Sequence, residues 1–154
     1  MKVKIFSIGN YYRRDDGVAL VATRWLQRRN RVRCDYMNLG LRPDRLLEYI
    51  EPEQAVIIVD AALLAEKQKL FYELEIIRGV ALEQSQMRHG LSILQTLQLA
   101  ELYQKGLAQV WVFGLAAVDL NHGYGLSQTA QNAIKEAVPS IEERVTQLNQ
   151  QPVV

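Results

Sequence analysis

Val56-Ile57-Ile58-Val59 is a fully apolar, β-branched run that ends on Asp60. A run this short with no polar face fits a strand buried on both sides, the environment of a parallel sheet wrapped by helices. The carboxylate it delivers must be solvated, paired or coordinated, because burying it bare is very unfavourable. An earlier segment has the same grammar. Lys2 to Ile8 alternates and then turns apolar, Gly9-Asn10 ends it, and a helical pattern opens at Gly17 behind Asp15-Asp16. Two adjacent carboxylates therefore sit in a strand-to-helix turn, where α/β proteins place their chemistry.

The remaining segments extend this pattern. Gly17 to Arg29 carries Val18, Val21, Ala22, Trp25 and Leu26 on one helical face, with arginines opposite. Arg31 to Leu39 predicts a second strand, with Val32, Cys34, Tyr36 and Leu39 in rough alternation. Pro43 followed by Asp44 to Ile50 predicts a short helix. Leu70 to Ile77 is rich in β-formers and is expected to pair at an edge. Leu91 to Tyr103 predicts a helix, with Leu94, Leu97 and Leu102 among its apolar positions, and Val110 to Phe113 a further buried strand. Ser127 is a good N-cap for a last helix bearing Ala130, Ala133, Ile134 and Ala137, which Pro139 is expected to kink or restart. The order β-α-β-α-β-β-α-β-α implies a mostly parallel sheet with helices on both faces.

Composition narrows the function classes. The 154 residues, 49% of them hydrophobic, suffice for a real core, and residues 1–154 are expected to form one domain. Lys+Arg 18 against Asp+Glu 17 gives a formal charge of +1, which lacks the basic excess of a nucleic-acid binder. No apolar stretch approaches the roughly 18 residues of a membrane span, and the N-terminus opens on a strand with no signal-peptide pattern. The single Cys34 excludes an internal disulfide and fits a reducing cytoplasm. Its place in a predicted strand makes it a small core residue and a poor nucleophile.

Asp16 lies past the first strand, Asp60 ends the third, and His89 precedes a helix. Two carboxylates and an imidazole at such positions suit one hard-to-borderline cation if they converge on a common rim. Each also has an ordinary reading. Asp15 or Asp16 can simply cap the helix at Gly17. A lone histidine such as His89 can be a surface or capping residue, and His122 reads as an ordinary loop residue.

Taken in order, the pieces are more specific: Gly9-Asn10 and Asp15-Asp16-Gly17; Ile58-Val59-Asp60-Ala61; His89-Gly90-Leu91 with Leu94 and Leu97; Gly114; and Gly123-Tyr124-Gly125-Leu126-Ser127. This succession resembles the hydrogenase maturation endopeptidases, which trim the large subunit of nickel–iron hydrogenases, and the resemblance runs to about Leu148. It implies a three-layer α/β/α fold of the phosphorylase/hydrolase-like type. It also implies an endopeptidase, aspartate- or metal-dependent, that removes a C-terminal extension from a large-subunit precursor already holding nickel. Asp16 and Asp60 match the family's metal-site carboxylates and His89 its imidazole ligand, so these three are the implied catalytic and metal-contacting residues. The nickel would arrive with the precursor, no tightly bound organic cofactor is expected, and the protein would act as a cytoplasmic monomer.

The chain departs from the family pattern at turns. Ala19 stands where members usually have Gly, Arg14 where a small residue is common, and Ala117 where Pro is common; Tyr36 to Gly40 keeps only part of a glycine-rich turn. All three implied ligands survive these changes. Two alternatives share the same residues: another metal-dependent hydrolase on this fold, and a non-proteolytic metal-dependent assembly factor that holds the large subunit without cutting it.

Overall fold

The computed structural model describes residues 1–64, 69–76, 87–102 and 109–153. Among these, five strands form one sheet: β1 (Val3–Ile8), β2 (Asp35–Gly40), β3 (Ala55–Ala62), β4 (Phe71–Glu75) and β5 (Gln109–Ala116), in the order β2-β1-β3-β5-β4. All neighbours are parallel except β4, which runs antiparallel to β5 at the edge. The helices are α1 (Val18–Arg29), α2 (Leu46–Tyr49), α3 (Gly90–Leu102) and α4 (Gln128–Gln150). This is the mostly parallel three-layer architecture that the element order implies.

Period-two alternation along the central strands divides the core into two layers. Val3, Ile5, Ala55, Ile57, Val59, Phe113 and Leu115 pack against Ala19, Ala22 and Leu26 of α1 and Ala133, Ala137, Ile141 and Val145 of α4. Phe6, Ile8, Val56, Ile58, Val110 and Val112 face the other way, towards Leu46 of α2 and Ile93 and Ala100 of α3. Small residues on α1 and α4 let these two helices lie close to the sheet and to each other. Arg29 adds a two-pronged ion pair across them, donating from Nε and Nη2 to the Glu142 carboxylate at 3.1 and 2.8 Å.

Several local expectations need correction. Trp25 is 38% exposed, because α1 turns Ala19, Ala22 and Leu26 inward and leaves Trp25 at the margin. The second strand begins at Asp35 and not near Arg31; Val32 and Cys34 precede it as half-buried residues against the core. The last helix runs without a break through Pro139. Pro139 is exposed while Ala137, Val138 and Ile141 are buried, so the carbonyl its ring nitrogen cannot serve lies on the solvent side and core packing holds both halves together. Ile77 of the predicted edge strand and Tyr103 of the predicted helix lie outside the described residues.

Candidate active site

The C-terminal ends of β1, β3 and β5 share one rim, and the loops leaving them build the site. After β1 the chain makes a tight reversal into a 3-10 turn, Arg14–Gly17, that carries Asp15 and Asp16. Gly9 makes this possible. Its φ is +151°, and a Cβ there would fall 2.0 Å from the Asp16 carbonyl oxygen, so any side chain would push the turn off the strand end.

Asp15 and Asp16 are both buried, and their surroundings are opposite. Asp15 Oδ2 accepts from Val118 N (2.9 Å), Asp119 N (3.0 Å) and Ser127 Oγ (2.7 Å), while Oδ1 accepts from Ser127 N (2.8 Å). Ser127 Oγ in turn accepts from Ala130 N, capping α4 as its residue type predicts. Asp15 therefore bolts the loop after β1 to the loop after β5. Around it Asp15 N donates to Asp119 O, Arg14 N to Gly123 O and Gly123 N to Tyr12 O. Arg14, at a positive φ of 44°, lays its guanidinium against Gly123 and donates to the Tyr124 carbonyl. The loop thus accommodates an arginine at this position.

Asp16 is 2% exposed, and its Oδ1 has no hydrogen-bond partner. The guanidinium Nε of Arg88 lies 3.5 Å from that oxygen, a charge contact without hydrogen-bond geometry. A buried carboxylate oxygen left in this state is rare in native proteins and points to strain, a catalytic role, or a water or ion that completes it.

Asp60 is fully buried and lies within β3, which continues to Ala62, two residues further than its position as a strand end implied. It pairs in register with Gly114 of β5, where an added Cβ would meet the Tyr72 ring at 2.5 Å. Its side chain follows Val56 and Ile58 to the α3 face and meets His89 there. Oδ2 accepts from His89 N (2.7 Å); Oδ1 accepts from Ala61 N (2.9 Å) and lies 2.8 Å from His89 Nδ1. Met87 bridges to Ala62, and Arg88 N donates to Ala61 O, so residues 87–89 zip onto the end of β3 before α3 begins.

Burial pushes the Asp60 carboxyl up from its ordinary range, and the His89 hydrogen bond and charge pull it part of the way back. Burial lowers His89, but the hydrogen bond and charge of Asp60 outweigh that, with a contribution from Asp16, and the net shift is upward. Arg88, which stands 3.5 Å from Asp16 Oδ1, is next in sequence to His89, so Asp16 lies near the Asp60–His89 pair. With a carboxylate facing Nδ1, the hydrogen-bond pattern assigns the proton of a neutral imidazole to Nδ1 and leaves the Nε2 lone pair as a donor. Among the described residues, no three His, Cys, Asp or Glu side chains are already gathered as a metal site. The donor chemistry present is one buried carboxylate oxygen without a hydrogen bond and one imidazole oriented by a second carboxylate. That set is short of the four protein ligands of a closed structural site.

Arg88 and Asp15 were not legible as site residues. Arg88 stands next to His89, but nothing local shows that it reaches Asp16; Asp15 looks like a helix cap until its partners 103–112 residues away are seen. His122 is exposed in the loop before α4.

A mostly parallel α/β core with carboxylate and imidazole groups at the strand ends of one rim is the layout of an α/β enzyme. The sequence makes the assignment specific. A family model described as hydrogenase maturation protease matches residues 21–144, and the chain belongs to that family. The matched span includes Asp60 and His89 and begins after Asp16. Solved structures carry the fold likeness over nearly the whole chain. The hydrogenase-maturating endopeptidase HybD from E. coli is 16% identical, with a TM-score of 0.79 over 96% of this chain and 93% of that one. The NiFe hydrogenase maturation protease HybD from Thermococcus kodakarensis is 21% identical, with a TM-score of 0.79 over 94% and 99%. A hydrogenase 2 maturation peptidase from Thaumarchaeota archaeon SCGC_AB-539-E09 is also 21% identical, with a TM-score of 0.66 over 94% and 97%. Comparison with the curated proteins by sequence finds none that matches. No helix among the described residues is long and apolar enough to cross a membrane.

Proposed function

We propose that this protein is the endopeptidase that removes the C-terminal extension from a nickel-loaded large-subunit precursor of a nickel–iron hydrogenase. Asp16, Asp60 and His89 would face the substrate's nickel. The observation that carries this reading is Asp16 Oδ1, buried and without a hydrogen bond, linked through Arg88 to the adjoining Asp60–His89 pair on the rim of a maturation-protease fold. Oxygen and imidazole donors can complete the sphere of a nickel already bound by the precursor's own ligands. A precursor lacking the metal offers them nothing comparable, so the site would act as a checkpoint on metal loading.

Asp60 has one lone-pair direction left on Oδ2 after accepting from both backbone amides and facing the imidazole. It therefore serves first to hold His89 and second as a potential ligand. Asp16 is the more available donor. Hydrolysis needs the scissile carbonyl polarised and a water deprotonated; the substrate's nickel suits the first task and a carboxylate not engaged by metal the second.

The reach of the site also suits a macromolecular substrate. Tyr12, Leu41, Leu63, Leu91, Val118 and Tyr124 are exposed, and every one follows a strand's C-terminal end or flanks a helix start on this rim. Apolar side chains gathered around a polar centre are what a folded protein partner would cover. The protein would work in the cytoplasm as a monomer. Incubating purified protein with a nickel-loaded candidate precursor should shorten the precursor at its C-terminus, read by intact mass. Stable binding with no mass change would instead make it an assembly factor.

A further inference from the structure

We propose that Arg88 is a built-in counter-ion that occupies Asp16 in the metal-free protein and must leave before Asp16 can contact a metal, so that free cations are discriminated against. This rests on the metal-contacting reading of Asp16 given above. Asp16 is buried and its Oδ1 accepts no hydrogen bond, yet the Arg88 Nε stands 3.5 Å away. The contact is thus coulombic and undirected, and breaking it loses no hydrogen bond. The Arg88 side chain is one-third exposed, which gives the guanidinium a path into water. Its backbone, by contrast, is fixed: Arg88 N donates to Ala61 O at 2.8 Å, and the next residue, His89, is held by Asp60. The same short turn therefore presents an imidazole donor and a cation that masks the neighbouring carboxylate.

A free divalent ion must displace Arg88 using only the protease's own donors. A nickel held by a docked precursor arrives with its other ligands in place and with protein surface to assist the displacement. Arg88 thereby weakens binding of the bare ion more than recognition of the loaded precursor.

The test is nickel(II) binding to the protease alone, by calorimetry at neutral pH, for the native protein, Arg88→Met, Arg88→Lys and Arg88→Met/Asp16→Asn. Removing the guanidinium should tighten nickel binding by about tenfold or more, Arg88→Lys should fall between, and adding Asp16→Asn should abolish the gain. Equal affinity for the native protein and Arg88→Met overturns the proposal, as does a gain that survives Asp16→Asn. Nickel-dependent cleavage of the precursor, measured on the same variants, separates the two claims. No gain with nickel dependence intact removes only the role of Arg88, whereas no gain with nickel-independent cleavage removes the metal reading as well.

Discussion

Asp60 grips His89 at two points, accepting its backbone N–H at Oδ2 (2.7 Å) and facing its Nδ1 from Oδ1 (2.8 Å). One buried carboxylate thus fixes both where the residue sits and how its ring is turned. Asp60→Asn replaces one acceptor with a donor, so either the His89 amide or the Ala61 amide loses its partner, and in the second case the ring faces an N–H and must take the other tautomer. The loss of stability should be about 1–3 kcal/mol, the usual penalty for one unsatisfied buried group. Cleavage should fall by about 100-fold or more, because a mis-aimed imidazole and a lost charge both act on the site. Chemical denaturation beside a precursor-cleavage assay checks both numbers; full activity in Asp60→Asn would exclude the role assigned here.

The raised His89 value sets a pH dependence. A site that needs the Nε2 lone pair loses it when the ring takes its second proton, so cleavage should fall as pH drops through a midpoint above the ordinary histidine value of about 6.5. Stability moves the other way. Since the folded-state value is raised, protonating His89 favours the folded protein; that contribution is complete below the unfolded value and is lost as pH rises through the folded one. NMR titration of His89 gives the midpoint, and in Asp60→Asn it should move down, since burial then acts with less opposition.

Asp15 and Asp16 should separate by what their loss damages. Asp15→Ala strands the amides of Val118, Asp119 and Ser127, and should cost roughly 3–5 kcal/mol, lowering Tm by about 10 °C or more. Asp16→Asn gives up the Arg88 contact but also a buried charge, has no hydrogen bond to lose, and leaves an Arg88 that can reach water, so stability should change by less than about 1 kcal/mol while cleavage collapses. Thermal melts of the two variants decide the matter. A large Tm loss in Asp16→Asn would mean that its carboxylate is structural.

That contrast also shows where the sequence could be read and where it could not. The Val56–Val59 run and the alternation of strand and helix signals are local properties, and they sufficed for a parallel sheet with Asp16, Asp60 and His89 near strand ends or helix starts. The order β2-β1-β3-β5-β4 depends on which strand faces pair, which no single segment encodes. Asp15 and Asp16 share the same local pattern, and only distant partners make one a bolt to the loop after β5 and give the other no more than a charge contact with Arg88. Trp25 was misplaced for a similar reason. Helical periodicity puts it near the apolar stripe, and the close approach of α1 to α4 through alanines turns it out.

Tyr12 and Tyr124 stand on the loops that Asp15 joins, 63% and 73% exposed, with ring centroids 5.5 Å apart in an edge arrangement. Exposed tyrosines held on a rigid base make good anchors for a protein partner. Tyr12→Ala/Tyr124→Ala should raise KM for the precursor about tenfold or more, leaving Tm within a few degrees of the native value. An unchanged KM would place the docking surface elsewhere.

The central claim is that the site reads the substrate's metal. One preparation of large-subunit precursor, divided into nickel-loaded and nickel-free halves and treated with equal protease, tests it by the mass of the precursor over time. The account predicts that the loaded half loses its C-terminal extension and the empty half stays intact, with Asp16→Asn cutting neither. Equal processing of both halves would contradict it.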